Sequence, residues 1–235
     1  MTSIYQITDT HIILENDDIA RNHFLILMEH FRKESADILV ISGDLPGIDG
    51  SLEIYQWMKK QIPSAQETYV IPGNHDDADN LYTAFGDDMC VNSDFLFTIP
   101  LSEIDIVFSN TGSNRFPEDQ LAYLQDASIR ENSILFTHYP TTRLTKGFMD
   151  TNYPLANASE ADKVISGSNI SQVFCGHYHT EHSINNDYQL NVTPSPAFEI
   201  DLYSTEFKLH KTRIPFRHIE VDGTNTQSSV IYLDS

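Results

Sequence analysis

The feature that most constrains this chain recurs five times: a short apolar run, an abrupt stop, then a residue able to bind a metal ion. The clearest copy is Tyr69-Val70-Ile71, followed by Pro72-Gly73-Asn74-His75-Asp76-Asp77. The apolar run reads as a buried strand, and Pro72-Gly73 ends it. A polar cluster directly after a strand falls at the carboxyl edge of a sheet, where α/β proteins assemble their sites. Taken alone, the stretch reads equally well as a turn, because Gly, Asn and Asp are ordinary turn formers.

The other copies decide between the two. Ile4-Tyr5-Gln6-Ile7 is followed by Thr8-Asp9-Thr10-His11, and residues two apart on extended chain share a face. Ile38-Leu39-Val40-Ile41 is a continuous apolar run, as in parallel strands buried on both faces, and it ends in Ser42-Gly43-Asp44. Ser133-Ile134-Leu135-Phe136 ends in Thr137-His138, and Gln172-Val173-Phe174-Cys175 ends in Gly176-His177-Tyr178-His179. Five of the ten histidines sit in these places. Each fragment is common by chance; their recurrence after apolar runs has one joint explanation, a metal site. Imidazole and carboxylate are the usual ligands of zinc, manganese and iron. Seven candidate ligands exceed one tetrahedral site and suit two adjacent metals sharing a carboxylate.

Between the strands, residues 17–33 carry apolar side chains at helical spacing, with Asp17 or Asp18 as the N-cap. Helices are also expected at 51–62, 77–85, 117–127 and 159–166, the third of these opening on Pro117. Phe95 to Ile99 and Ile104 to Phe108, split by a Pro-containing turn, predict a hairpin. Residues 141–157 lack periodicity and read as an ordered loop near the site. Residues 188–233 read as β-rich. No repeat or linker marks a boundary, so residues 1–235 are expected to form a single domain.

Composition narrows the partners. Acidic residues number 34 against 14 basic, a formal charge of −20, which disfavours a large nucleic-acid footprint and anionic membranes. It also repels small phosphorylated substrates unless bound cations offset it. No secretory signal or membrane-spanning run is visible, and two cysteines, Cys90 and Cys175, suit a reducing compartment, so a cytoplasmic location is expected.

The motif order Asp9-x-His11, Gly43-Asp44, Gly73-Asn74-His75-Asp76, His138, Gly176-His177-x-His179 resembles the calcineurin-like metallophosphoesterases, from Ile4 to His179. Within that family the spelling looks most like bacterial class III cyclic-nucleotide phosphodiesterases. Gln6 to Asp9, Gly43-Asp44-Leu45 with Asp49-Gly50-Ser51, Gln120 to Leu124 and Thr193-Pro194-Ser195 carry this closer likeness. The resemblance implies a four-layer αββα sandwich, an α/β arrangement of two mixed sheets flanked by helices, with two divalent metal ions (manganese, iron, zinc or cobalt) at the strand ends. It implies that Asp9, His11 and His179 hold one metal, that Asn74, His138 and His177 hold the other, and that Asp44 bridges them. His75 is then expected to face substrate, beside Asn74. A hydroxide on the metals would attack phosphorus, and His75 would protonate the departing alkoxide.

Some positions depart from the family's pattern. Asp-Arg-Gly is missing after Gly43-Asp44, which argues against a protein phosphatase; the Leu45–Asp49 loop is one residue longer than in the cyclic-nucleotide group; and Tyr139 follows His138 where that group often has a second histidine. These changes lie on the substrate side. The resulting expectation is a phosphodiesterase acting on small phosphodiesters, with cyclic nucleotides as candidates. A phosphomonoesterase or nucleotide pyrophosphatase using the same site is the alternative, and a non-catalytic scaffold is disfavoured because every motif position is filled. Asp76 or Asp77 either orients His75 or is a solvated turn carboxylate, the second being favoured. Tyr139 and Tyr178 either stack on a base or pack internally. His23, His30 and His182 read as surface or packing residues, and Cys175 as a buried thiol.

Overall fold

Apolar runs with no polar face have to be covered on both sides, and the structure covers them with a second sheet and with helices. A computed structural model of the chain describes residues 1–14, 18–48, 50–211 and 213–234. In chain order the elements are β1 (Thr2–Ile7), α1 (Ile19–Lys33), β2 (Ile38–Ser42), α2 (Leu52–Gln61), β3 (Glu67–Ile71), α3 (Ala78–Phe85) and α4 (Asp87–Cys90). The hairpin β4 (Phe97–Pro100) and β5 (Asp105–Phe108) follows, then α5 (Glu118–Leu124), β6 (Ser133–Phe136), α6 (Phe148–Asn152), α7 (Ala158–Ser166) and β7 (Ile170–Cys175). The chain ends with β8 (His182–Asn185), β9 (Gln189–Val192), β10 (Glu199–Ile200), β11 (Leu209–His210), β12 (Ile214–Asp222) and β13 (Asn225–Leu233).

The first sheet has the order β13-β12-β1-β2-β3, and the second β4-β5-β6-β7-β9-β8. Each is mixed: β1, β2 and β3 run parallel, as do β5, β6, β7 and β9, with antiparallel strands at the edges. Strand alternation sorts the side chains into layers. In the first sheet, Tyr5 packs on Phe31 of α1, while its neighbours Gln6 and Arg217, paired in register, face the second sheet. In the second, Ile106, Phe108, Ile134, Phe136 and Phe174 join the core between the sheets, whereas Val107, Leu135, Val173 and Cys175 pack outward with α5 and α7. The result is the expected helix–sheet–sheet–helix order.

Two devices lock the sheets together. Phe97, Phe108, Phe136 and Phe174 are register partners on four successive strands, and their rings stack at centroid distances of 4.4, 5.4 and 5.4 Å. Tyr69 of β3 packs on this ladder, 5.7 Å from Phe97 and 5.3 Å from Phe108. The second device is polar. Arg217, 3% exposed, donates to Thr193 Oγ1, the Val192 carbonyl and Ser228 Oγ, and Thr193 in turn donates to Gln6 Oε1. A buried guanidinium is tolerated because its donors are satisfied.

The expected elements recur with shifts of a few residues, and three were not anticipated: α4, α6, inside the 141–157 loop, and β8. Asp18 caps α1, accepting from Ala20 N and Arg21 N; Asp17 and Asp49 lie outside the described residues. No helix among the described residues is long and apolar enough to cross a membrane.

The aromatic ladder makes a direct prediction. Phe136→Ala, at a fully buried central rung, should lower unfolding stability by about 3–5 kcal/mol in a denaturant titration, whereas Tyr203→Ala, at 71% exposure, should be nearly neutral.

Candidate metal centre

The carboxyl ends of β1, β2 and β3 and those of β6 and β7 meet at one edge of the sandwich, and there the five motifs converge. The Asp9–His11 and Gly43–Leu45 segments run side by side, with Asp9 N donating to Gly43 O, His11 N to Asp44 O and Ile12 N to Leu45 O. Gly176 N donates to His138 O, which ties the second sheet's two loops together in the same way.

The side chains do not converge by strand alternation, as the sequence spacing of Asp9 and His11 had suggested. Both lie beyond the end of β1 with φ of 53° and 42°; Asp44, His177 and His179 also have positive φ, at 53°, 65° and 54°. Left-handed backbone is uncommon outside glycine and clusters where function over-determines the geometry. It turns successive side chains inward rather than to alternate faces. The motif glycines make room for this turn. A Cβ on Gly176 would collide with Asp9 Oδ2 and Thr8, and one on Gly43 (φ 99°) would lie 2.5 Å from His138 Nδ1.

Two groups of donor atoms result. Asp9, His11, Asp44 and His179 form one, Asp44, His138 and His177 the other, each with its ligand atoms within 4.8 Å of one another, and all six residues are buried. Asp44 belongs to both. Asn74 and His75 are exposed at the cleft above, with His75 edge-on to His11 at a centroid distance of 5.0 Å.

The hydrogen bonds behind the histidines show that the groups fit cations. His138 Nδ1 lies 2.9 Å from the Ser42 carbonyl, His179 Nδ1 3.2 Å from the Phe198 carbonyl and His177 Nε2 3.0 Å from the Tyr153 carbonyl. Each such contact assigns a ring N–H to the carbonyl and leaves the opposite nitrogen with a lone pair. On His138 and His179 that lone pair faces a carboxylate. His138 Nε2, buried without a well-formed hydrogen bond, sits 3.3 Å from Asp44 Oδ2; His179 Nε2 sits 3.2 Å from Asp9 Oδ1 and 3.0 Å from His11 Nε2. Lone pairs facing carboxylates repel unless a cation lies between them.

Burial and neighbouring charge set the ionisation. Burial pushes His11 down to about 3, helped by His179, and His177 down to about 3, helped by His138, so both imidazoles are neutral in the form that binds metals. For His138 burial pulls the same way, but Asp44 and Asp9 outweigh it and hold the pKa up at about 9, so without a metal a proton on Nε2 takes the cation's place against those carboxylates. Burial opposes ionisation of Asp9 and Asp44 as well. It is overcome at Asp9 by His179 and His138, and at Asp44 by His138, His11 and the His75 backbone N–H, so both stay below the usual carboxylate range.

Asp76 has a role the spacing did not reveal. Its carboxylate accepts from Asp44 N (2.7 Å), Gly73 N (2.7 Å), Leu45 N (3.3 Å) and Tyr55 OH (2.9 Å), stapling the Gly-Asp loop to the Gly-Asn-His loop. It is neither a solvated turn carboxylate nor a partner of the His75 ring. Asp77 caps α3 by accepting from Asn80 N. Tyr139 and Tyr178 are 4% and 1% exposed; Tyr139 packs 3.8 Å from the His177 ring and Tyr178 donates to Asp150, so neither is open to a base. The remaining expectations are simpler: Cys175 is buried, and His23 Nδ1 meets the Pro196 carbonyl.

The sequence profile of calcineurin-like phosphoesterases matches residues 2–181. The chain belongs to that family. Among its relatives is a probable cyclic nucleotide phosphodiesterase of Fibrobacter succinogenes, 30% identical, with 99% of this chain and 94% of the relative aligned. The 3′,5′-cyclic adenosine monophosphate phosphodiesterase CpdA of Escherichia coli is 28% identical over 95% of this chain and 87% of its own. A probable glycerophosphodiester phosphodiesterase of Arcobacter nitrofigilis is 24% identical over 97% and 93%. A dimetal phosphatase from Danio rerio shares the fold, with a TM-score of 0.66 at 13% identity over 98% of each chain. The chain is thus a hydrolase of the metallophosphoesterase family with a buried candidate metal site.

Gly176→Ala tests the packing of the site. It should displace the Asp9 carboxylate and remove close to one metal equivalent per chain, read by elemental analysis after dialysis, while far-UV circular dichroism stays unchanged.

Proposed function

We propose that the protein hydrolyses small phosphodiesters, cyclic nucleotides among them, on a floor of two divalent cations. Asp9, His11, Asp44 and His179 would hold one and Asp44, Asn74, His138 and His177 the other. The observation that carries this reading is the membership of Asp44 in both buried donor groups. The mixed imidazole and carboxylate set accepts manganese, iron, zinc or cobalt, with availability deciding.

The cleft above the floor supports the same reading. Among its described lining residues there is no Lys or Arg, while Asp18 and Asp44 are present, in a chain of formal charge −20. A phosphate enters such a place only if cations compensate the charge. When bound, they supply that charge and Lewis acidity, and lower the pKa of a coordinated water to about 7.

The chain's own residues do the rest. Asn74 presents its amide at the cleft, in reach of a phosphoryl oxygen. His75 stands exposed on the same loop, which its backbone N–H secures by donating to Asp44 Oδ1 at 2.8 Å. In this reading its imidazole hands a proton to the departing alkoxide, a step worth about a hundredfold or more. The names of the relatives favour a diester over a monoester, and the Arcobacter relative favours glycerophosphodiesters as a second substrate class. The whole chain is taken as one domain, because β12 and β13 complete the first sheet. Two buried, unpaired cysteines suit a reducing compartment, so the cytoplasm is the proposed location.

Hydrolysis by the manganese-loaded protein tests the reading. Bis-p-nitrophenyl phosphate and 3′,5′-cyclic AMP should turn over faster than p-nitrophenyl phosphate; turnover of the monoester alone would move the protein to the phosphatases. Asp44→Asn should lose metal and rate together. His75→Ala should keep both metals and lose about a hundredfold on alkoxide leaving groups but far less on p-nitrophenolate, and an equal loss on both would remove His75 as the acid.

A further inference from the structure

Asp150 of α6 carries a carboxylate, 1% exposed, that belongs to neither donor group. Burying such a group is costly unless donors compensate it. The donors here are neutral: Leu144 N at 3.0 Å, Thr145 N, Thr145 Oγ1 at 3.0 Å and the Tyr178 hydroxyl at 2.9 Å. Three of them come from the residues just before α6 and fold the strap of residues 144–153 onto itself. The fourth comes from the residue between His177 and His179, and fastens the strap to the loop that follows β7.

The strap meets the same loop a second time. Tyr153, whose N–H closes α6 on the Met149 carbonyl at 2.8 Å, offers its own carbonyl to His177 Nε2 at 3.0 Å. That contact keeps the ring N–H on Nε2 and leaves Nδ1 as the nitrogen able to bind a metal. The Tyr139 ring packs 3.8 Å from the His177 ring and limits its rotation. The direction of Nδ1 is therefore set by a stacked ring and by a carbonyl on the strap.

Helix α6 is a single turn and cannot hold that carbonyl in place by itself. Its anchors are Phe148 N, which donates to Ser204 O at 2.7 Å, Thr145 Oγ1, which reaches Leu202 O at 3.0 Å, and the Asp150–Tyr178 bond. Of the three, only the last ends on the metal-site loop. Phe148 and Tyr153 also line the cleft and, with Phe207, form its aromatic wall, at centroid distances of 5.8 and 5.5 Å from Phe148. The two donor groups depend on the strap unequally. His177 takes its carbonyl from the strap, whereas His179 Nδ1 takes the Phe198 carbonyl, on a separate segment.

We infer that Asp150 and Tyr178 are positioning residues: their hydrogen bond holds the strap against the metal loop, and through the Tyr153 carbonyl it keeps His177 aimed as a ligand. The inference rests on the two-cation reading and deepens it. It assigns the tightness of one site, that of Asp44, Asn74, His138 and His177, to two side chains that would touch neither cation. Partners behind a ligating histidine are worth about 10–100-fold in metal affinity.

The test is manganese binding, followed by calorimetry and by electron paramagnetic resonance. The wild-type protein should bind two ions and show the exchange-coupled spectrum of a manganese pair. Tyr178→Phe removes the hydroxyl and little else. It should bind the first ion with unchanged affinity and the second at least about tenfold more weakly. At limiting manganese its spectrum should be that of isolated ions, and excess manganese should restore the coupled one. Asp150→Asn, which turns an acceptor into a donor facing Leu144 N and Thr145 N, should shift the same site. Tyr188→Phe is the control, since it removes another buried hydroxyl, bonded to Thr141 and Asp162, and should leave both affinities unchanged. Wild-type affinities at both sites in Tyr178→Phe would overturn the inference and leave the two-cation reading standing. Equal weakening of the two sites, or an equal loss in Tyr188→Phe, would do the same, because the effect would then be general loosening. A wild-type protein that shows no coupled spectrum at saturating manganese would overturn the two-cation reading, and the inference with it.

Discussion

Asp44 is the constraint around which this molecule is arranged. It is a buried carboxylate within ligand distance of two histidine groups, and burying a charge is costly unless partners compensate it. The compensation comes from two places, and a third contact holds the backbone. The His75 backbone N–H reaches its Oδ1, His138 and His11 face its Oδ2, and Asp76 grips its own backbone N–H from below. The partners lie on the loops after β1, β3 and β6, so fixing Asp44 fixes the relation of β1, β2, β3 and β6 at their carboxyl ends. The stacked phenylalanines and Arg217 hold the two sheets in the register that lets those ends meet. A shift of the second sheet would carry His138 and His177 away from the shared carboxylate.

The division of labour in the cleft follows from the same arrangement. Every cationic requirement of a phosphate is delegated to the floor, because the walls hold no Lys or Arg among the described residues. That leaves the walls free to be apolar. The strap 144–153 is where floor and wall are joined, since one short segment supplies the carbonyl that orients His177 and the rings that line the cleft.

Much of this was written plainly in the chain. Strand runs ending in Asp9, Asp44, Asn74, His138 and His177 show in the sequence because each strand and its following ligand are contiguous. The two mixed sheets and the grouping of the ligands follow from that pattern and from the family it matches. Other features were invisible for physical reasons. Nothing local marks Asp76 as a staple for the Gly43–Leu45 loop, because its donors come from residues about thirty positions away. Helix α6 is a single turn, Phe148–Asn152, too short to show a period. Tyr139 and Tyr178 flank ligands in sequence yet point into the core, while Phe207, far from any motif, comes to line the cleft.

The sequence by itself determined the kind of chemistry: which residue types stand at the strand ends, in which order, and that a chain this acidic needs cations to meet a phosphate. Those are properties of short contiguous segments and of total charge, and both survive without three-dimensional information. Only the tertiary structure decided how the candidate ligands converge and which side chains line the cleft above them. The convergence depends on left-handed backbone at Asp9, His11, Asp44, His177 and His179, which is stable only when neighbouring loops over-determine it. The aromatic wall depends on Phe148, Tyr153 and Phe207, which chain folding alone brings side by side.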